Sequence, residues 1–255
     1  MSPAPYRPRG ALMGKLQRAQ VRLGGKIALP LHPGERRISF SFDDFPRSAG
    51  TTAADILEQR GMRATYYVSA CFAGEDTHLG AMYETEDLTR LYAKGHEIAC
   101  HTYSHGDASQ MRLAALETDI ERNARALKDQ GYDGPLESFA FPYGEASLEA
   151  KAALTQRFTN LRGIYPGINK TPADRGLLRA TPLDGGDEGL KKALAQIDAL
   201  RHSPGWLIFY GHDVRDTHSP WGCSPEFLET VANAVQASKI PVQTVTAACQ
   251  DLSAR

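Results

Sequence analysis

The chain holds 255 residues, 42% of them hydrophobic, which is material for one large domain or two small ones at about 150 residues per domain. Its 29 Lys+Arg against 30 Asp+Glu leave a formal net charge of −1, which excludes a highly basic nucleic-acid binder and an acidic disordered chain. That total is a cancellation, because residues 1–37 hold eight Lys/Arg and one Glu, a local +7, against −8 over residues 38–255. No run of about 18 apolar residues and no secretory leader pattern is seen. The four cysteines, Cys71, Cys100, Cys223 and Cys249, form no C-x-x-C pair. Sparse cysteines in a chain with a large core predict reduced thiols and a cytoplasmic location.

The basic segment comes first. Within Ala11–Leu23, Leu12, Leu16, Ala19 and Leu23 recur at spacings of four, three and four, with Lys15, Arg18 and Arg22 on another face. This pattern predicts an amphipathic, cationic helix. Two readings stay open. Residues 11–23 make peripheral contact with an anionic membrane, at its inner face, or the stripe caps the body of the protein or a neighbouring subunit. Gly24-Gly25 and the Pro/Gly break at 30–34 then separate a basic extension, 1–34, from a main domain, 35–255.

Strand-like and helix-like segments alternate from there. Residues 37–42 alternate polar and apolar and run into Asp43-Asp44-Phe45-Pro46. A helix over 52–59 is closed by Gly61, and 64–68 reads as the second strand. Thr85 can cap a helix carrying Leu88, Leu91 and Tyr92, ended by Gly95. Residues 96–100 form a third strand, and Leu113, Leu116, Ile120, Ala124 and Leu127 mark a long helix ended by Gly131. A strand at 138–141, a helix at 148–158 and short strands at 160–164 and 177–180 follow. The chain closes with a helix over 189–202, an apolar strand at 206–210, a helix over 226–237 and a last strand at 242–245. Such alternation implies an α/β protein with a parallel sheet covered by helices. About seven strand–helix units favour a closed or nearly closed barrel over an open sheet.

Polar residues capable of chemistry recur directly after strands: Asp43-Asp44, His101 and His105, Pro142-Tyr143-Gly144, and Gly211-His212-Asp213. In a parallel barrel these strand ends share one face. Two imidazoles four apart with a carboxylate from another strand make a facial metal site with open positions, suited to Zn²⁺ and to other divalent transition metals. Asp43-Asp44 can equally be a turn or a helix cap. Adjacent carboxylates repel unless a cation neutralises one of them, and a metal held by His101 and His105 leaves the other free to act as a base. His32, His78, His96 and His202 read as ordinary core or surface histidines. Tyr103, His218 and Trp221 fall in mouth loops, where they either stack on a sugar ring or pack the loop itself.

These segments carry a family resemblance. Residues 40–46 (F-S-F-D-D-F-P) resemble the first motif of the polysaccharide deacetylases, the NodB-homology carbohydrate esterases, and H-T-Y-S-H at 101–105 matches their H-[ST]-x-x-H motif. Phe141-Pro142-Tyr143-Gly144 is similar to the third motif and residues 207–213 to the last, all in the family's order. The resemblance implies a partly irregular (β/α) barrel with one divalent metal, Zn²⁺ first and Co, Ni or Mn as alternatives. It implies Asp44, His101 and His105 as ligands, Asp43 as general base, His212 as general acid and the Tyr143 N–H in the oxyanion hole. Pro142, Tyr103, Trp221 and His218 would contact a carbohydrate or glycolipid substrate, from which an N-acetyl group is hydrolysed.

Departures from the family pattern are visible too. Ala140 stands where the third motif begins with an arginine that steadies the base, and Arg47, Arg162 and Arg175 are the candidates to replace it. The D-x-x-x-W-like segment that orients the acidic histidine has no counterpart; Asp174, Asp184 and Asp213 are candidates. Phe45, where glycine is common, is expected to narrow the mouth. Two other readings remain: a metal-dependent amidohydrolase or deformylase on a non-sugar C–N amide, and a non-catalytic glycan- or membrane-binding barrel.

Overall fold

Period-two alternation along residues 36–43 gives one strand, β1 (Arg36–Asp43), buried almost throughout. Ile38, Phe40 and Phe42 face one side with the helices, while Ser39 and Ser41 face the other, where Trp206 Nε1 donates to Ser39 Oγ at 2.9 Å and Ser41 Oγ to the Phe209 carbonyl at 2.8 Å. The same two-sidedness holds along β2 (Ala64–Val68), β3 (Glu97–Cys100), β4 (Ser138–Ala140), β5 (Asn160–Arg162), β6 (Thr181–Pro182) and β7 (Gly205–Gly211). The computed structural model describes residues 10–32 and 34–253. Residues 1–9 of the basic extension and Pro33 of its closing break therefore lie outside the described residues.

The seven strands form one all-parallel sheet in the order β6-β7-β1-β2-β3-β4-β5. It curls until its edges are joined by a single segment. Leu178 bridges Arg162 of β5, and a few residues later Thr181 and Pro182 pair with Phe209 and Tyr210 of β7. This is the partly irregular (β/α) barrel expected.

Outside the sheet lie α2 (Ala54–Glu58), α3 (Thr85–Ala93), α4 (Leu113–Asp129), α5 (Leu148–Arg157), α6 (Gly186–His202) and α7 (Pro225–Ser238). Phe40, Phe42, Tyr66, Ile98 and Phe209 share one fully buried cluster with Leu57, Leu88, Leu91, Leu200 and Val231 of those helices. Each such side chain contributes about 1.5–3 kcal/mol of transfer free energy. Inside, the barrel is polar. Tyr67 OH and Ser138 Oγ lie 2.7 Å apart, Ser138 Oγ donates to Asn160 Oδ1 at 2.7 Å, and Thr65 Oγ1 donates to Glu97 at 2.7 Å.

The last strand expected at 242–245 is a correction. β2 begins opposite Phe40, so the Ile38 level of β1 is open on that side and Val242 fills it with one parallel bridge. Val245 then starts a helix, α8 (Val245–Ser253). Its first N–H groups are taken by barrel side chains: Val245 N donates to Thr65 Oγ1 at 2.9 Å and Thr246 N to Glu97 at 3.1 Å. A helix start needs acceptors of this kind. α8 closes the N-terminal end of the barrel over Trp206, Ile208 and Leu178. Two smaller differences concern ends of elements. Glu84 rather than Thr85 precedes α3, its N–H donating to Asp87 at 3.0 Å, and the strand expected at 177–180 forms at Thr181–Pro182.

The predicted basic helix is α1 (Ala11–Leu23). Its inner side is tied to the body: Gln17 Nε2 donates to the Ala146 carbonyl at 3.0 Å, Arg18 pairs with Glu145 at 2.5 Å, and Val21 is buried. Lys151, fully buried, donates to the carbonyls of Val21 and Gly24, each at 2.9 Å, and pairs with Asp174 at 2.7 Å. No helix among the described residues is long and apolar enough to cross a membrane, and all four cysteines are free thiols.

Candidate active site

Backbone strain marks one end of the barrel. Among the described residues, six non-glycine residues have positive φ, and Asp44, Phe45, Thr102, His105 and Tyr143 are five of them, with φ from 53° to 64°. Each costs on the order of 1–2 kcal/mol, and such strain concentrates where a site needs it. All five lie in the turns just after β1, β3 and β4. At Gly144 (φ +66°) an added Cβ would come within 2.2 Å of Ile164 Cγ1, so that turn needs glycine on two counts.

The turns bring Asp44, His101 and His105 together, with one ligand-type atom from each within 4.8 Å of the others. Asp44 Oδ1 lies 3.0 Å from His105 Nε2 and 3.6 Å from His101 Nε2. His101 Nδ1–H donates to the Ala140 carbonyl at 2.8 Å, which leaves its Nε2 lone pair aimed at Asp44. Burial, with the charge of neighbouring groups, pushes both imidazoles down to about 4, so both are neutral and able to ligate at neutral pH. Burial also raises the Asp44 carboxyl, and its Oδ1 is buried with no hydrogen-bond partner among the described residues. An orphaned carboxylate oxygen facing two neutral imidazole nitrogens fits a bound divalent cation. The second histidine is held through the helix that follows. Asp119 of α4 accepts from the N–H groups of Tyr103 and Ser104 and from Ser104 Oγ, each at 3.0 Å.

Asp43 is 4% exposed, and Arg162 Nη2 donates to its Oδ1. Burial alone would raise this carboxyl, but Arg162, with His101 and His212, outweighs it and holds the group below the usual range. The guanidinium is enclosed between the rings of Tyr67 and Tyr210, 4.7 and 5.3 Å from their centroids. Of the three candidate arginines, Arg162 is therefore the one at the base: Arg47 pairs with Asp87 at 3.2 Å, and Arg175 donates to the Thr159 carbonyl at 3.0 Å. Arg162 is the cross-strand partner of Ala140, so the positive charge sits one strand over from its expected position.

His212 interacts electrostatically with Asp43, Asp44 and His105. Its Nδ1 faces the Trp221 carbonyl at 3.3 Å, so a backbone carbonyl contacts it where a carboxylate was expected. Asp213 instead builds the loop that carries Trp221, accepting from Ser219 and Arg215. Asp174 pairs with Lys151, and Asp184 reaches His212 only through its charge.

The remaining expected residues fall as follows. The Tyr143 ring meets His105 edge-on at 4.4 Å, and Pro142 is buried beside it. Trp221 is 50% exposed. The Arg122 guanidinium lies 3.7 Å from the Tyr103 ring centroid, so one face of that ring is occupied. His218 is exposed, its Nδ1 2.8 Å from the Ser219 carbonyl. Phe45 does not narrow the mouth: it is fully buried against Tyr83 and Tyr66, with ring centroids at 4.7 and 5.0 Å. Its positive φ turns the ring into the helix layer, where Gly50 makes room for it. His78, which the sequence reads as an ordinary core or surface histidine, lies instead at the edge of the site. It stacks edge-on with Trp221 at 5.3 Å, and its charge reaches Asp44 and His105.

A curled parallel barrel with two histidines and paired aspartates at its strand ends defines a class of α/β proteins with a strand-end site. The chain belongs to the polysaccharide deacetylase family, whose family model matches residues 31–159. It is 28% identical over 112 residues to a chitooligosaccharide deacetylase of Bradyrhizobium sp., a match covering 44% of this chain and 48% of that protein. The matched stretches span from 15% to 48% of the first relatives' own length. The chitin deacetylase of Colletotrichum lindemuthianum superposes with a TM-score of 0.62 at 19% identity, covering 89% of this chain and 91% of that one. A CE4-family pseudoenzyme of Bacillus anthracis superposes equally, at 0.62 and 14% identity, covering 86% of this chain and 66% of that one. At these identities the likeness carries the fold, and the chemistry has to rest on the residues.

Proposed function

We propose that this protein is a metal-dependent hydrolase that removes the N-acetyl group from an amino sugar, with residues 35–255 as the deacetylase domain and 1–34 as a basic extension. The observation that carries the reading is the convergence of Asp44, His101 and His105 around an orphaned carboxylate oxygen, next to an Asp43 kept ionised by Arg162. The relatives named for action on chitin and chitooligosaccharides support the substrate class. Four free cysteines suit a reducing compartment such as the cytoplasm.

Asp44, His101 and His105 would hold the cation, with Zn²⁺ the first choice for two imidazoles and one carboxylate and Co, Ni or Mn as alternatives. When bound, such a cation polarises the amide carbonyl and acidifies water. Asp43, ionised and oriented by Arg162, accepts the proton of the attacking water. The Tyr143 N–H, presented by a left-handed turn, donates to the developing oxyanion, a contribution of about 3–4 kcal/mol for such a donor. His212, with Nδ1 directed to the Trp221 carbonyl, delivers a proton from Nε2 to the departing amine. Pro142 and Trp221, with Tyr103 and His218 farther out, line the approach for the sugar.

Metal analysis together with acetate release tests this. Purified protein is expected to hold one divalent cation per chain and to release acetate from N-acetylated amino sugars. His101→Ala should lose the cation and lower turnover by about 100-fold or more. A wild-type protein that binds no cation, or releases no acetate from any such sugar, overturns the reading.

A further inference from the structure

We propose that the outer face of α1 docks the protein on an anionic lipid surface. Leu12, Met13, Leu16 and Leu23 are 83%, 71%, 61% and 69% exposed, and they account for four of the seven exposed large hydrophobic side chains among the described residues. A fifth, Leu148, lies against Gly24 at the end of the same helix. Soluble surfaces rarely gather apolar side chains in this way without a partner.

The helix cannot roll to hide them. Its opposite face is held by Gln17 on Ala146, by Arg18 on Glu145 and by the buried Val21, and its last carbonyls are clamped by Lys151. A leader built only to cover the barrel would need no leucines on its far side.

Charge selects the occupant. Exposed Lys15 and Arg22 flank the apolar stripe, exposed Lys26 follows it, and Arg7 and Arg9 precede it in the sequence; the first acidic residue of the chain is Glu35. An apolar stripe edged by cations fits acyl chains beneath anionic headgroups. A second copy of the chain meeting the same face about a two-fold axis would bring these like charges together.

The position of α1 joins the surface to the site. Glu145 and Ala146, which hold its inner face, directly follow the Tyr143-Gly144 turn. Gln17 also reaches the Ser109 carbonyl at 3.4 Å, in the loop that follows His105. The docking stands on the helix alone; its use, bringing the mouth to sugars borne on lipid, rests on the function proposed above.

Co-sedimentation of the full-length protein with phosphatidylcholine vesicles, with and without about 30 mol% phosphatidylglycerol, tests it. Wild-type protein is expected to pellet with the anionic vesicles, more weakly with the neutral ones, and less as salt is raised. Leu12→Ser/Leu16→Ser/Leu23→Ser, and separately Lys15→Glu/Lys26→Glu, which spares the Arg22 guanidinium over the Tyr165 ring, should each lower the bound fraction about tenfold or more. Both should keep the thermal melt and remain within about twofold of wild-type turnover on a soluble sugar. Equal pelleting of wild type and both variants overturns the proposal. So does a solution dimer, seen by light scattering, that the triple serine variant dissociates. Lipid binding that depends on α1 in a protein with no deacetylase activity upholds the docking and overturns the function instead.

Discussion

Arg162 supplies from β5 the charge that the resemblance assigns to position 140 on β4. The two positions are cross-strand partners, so a long side chain at either one starts from the same height in the barrel. Removing one member of a buried ion pair leaves the other charged and unpaired, at a cost of about 3–5 kcal/mol. Arg162→Ala is therefore expected to lower the unfolding free energy by about that amount and to cut turnover by about 100-fold, since Asp43 would lose both its charge partner and its orientation. Ala140→Arg added to Arg162→Ala should restore a large part of both, as read by denaturant unfolding and acetate release. A double variant as inactive as the single one would show that the enclosure by Tyr67 and Tyr210, and not the charge alone, makes Arg162 work.

At the scale of elements, the loop-to-strand junction between α3 and β3 carries a pH dependence of its own. His96 Nδ1 accepts from the Ala64 N–H at 3.0 Å, and its Nε2–H donates to Glu58 at 3.1 Å. Both nitrogens are thus committed in the neutral form. Burial lowers the basicity of the ring, and Glu58 offsets that only partly. The unfolded chain takes up this proton near pH 6.5 and the folded chain only at lower pH, so stability should fall as the pH drops below about 6.5. Melting temperatures between pH 7.5 and 5.5 check this: the wild-type decline should be steeper than that of His96→Gln, whose residue 96 does not titrate. The elements that the sequence made legible are those with a strong period, β1, β7, α4, α6 and α7, within a few residues at each end. Residues 242–245 read as a strand because Val-Gln-Thr-Val alternates like one, while what makes Val245 helical is a carboxylate and a hydroxyl on two distant strands. The site was legible where its residues follow strands in order, as with Asp43, Asp44, His101 and His105. Choosing Arg162 among three arginines required knowing that β5 lies beside β4, which no local pattern states. His78 reads as an ordinary histidine because nothing near it in sequence marks a site: it sits in the turn of a short hairpin, Asp76–Thr77 with Gly80–Ala81, and the Trp221 it packs against lies far along the chain.

The whole molecule is a barrel with two unlike ends. α8 plugs one with apolar side chains, and strained turns build the other around ionisable groups. Between them the interior stays polar, down to Asn160 Nδ2 and Arg162 Nε, which are buried and unpartnered among the described residues. The sequence's division of charge becomes a division of place, with α1 and its cations mounted on the outside of an acidic body. The mounting has a chemical consequence. Lys15 and Lys26 are exposed, whereas the amine of Lys151 is shut away beneath the end of α1. An acylating reagent should therefore modify Lys15 and Lys26 in the native protein and spare Lys151, as read by peptide mass spectrometry. If the helix settles on lipid without leaving the body, Lys151 stays silent with vesicles present. If it peels away, that one nucleophile becomes reactive, and the footprint of a single lysine reports whether the leader acts as a fixed keel or a hinged one.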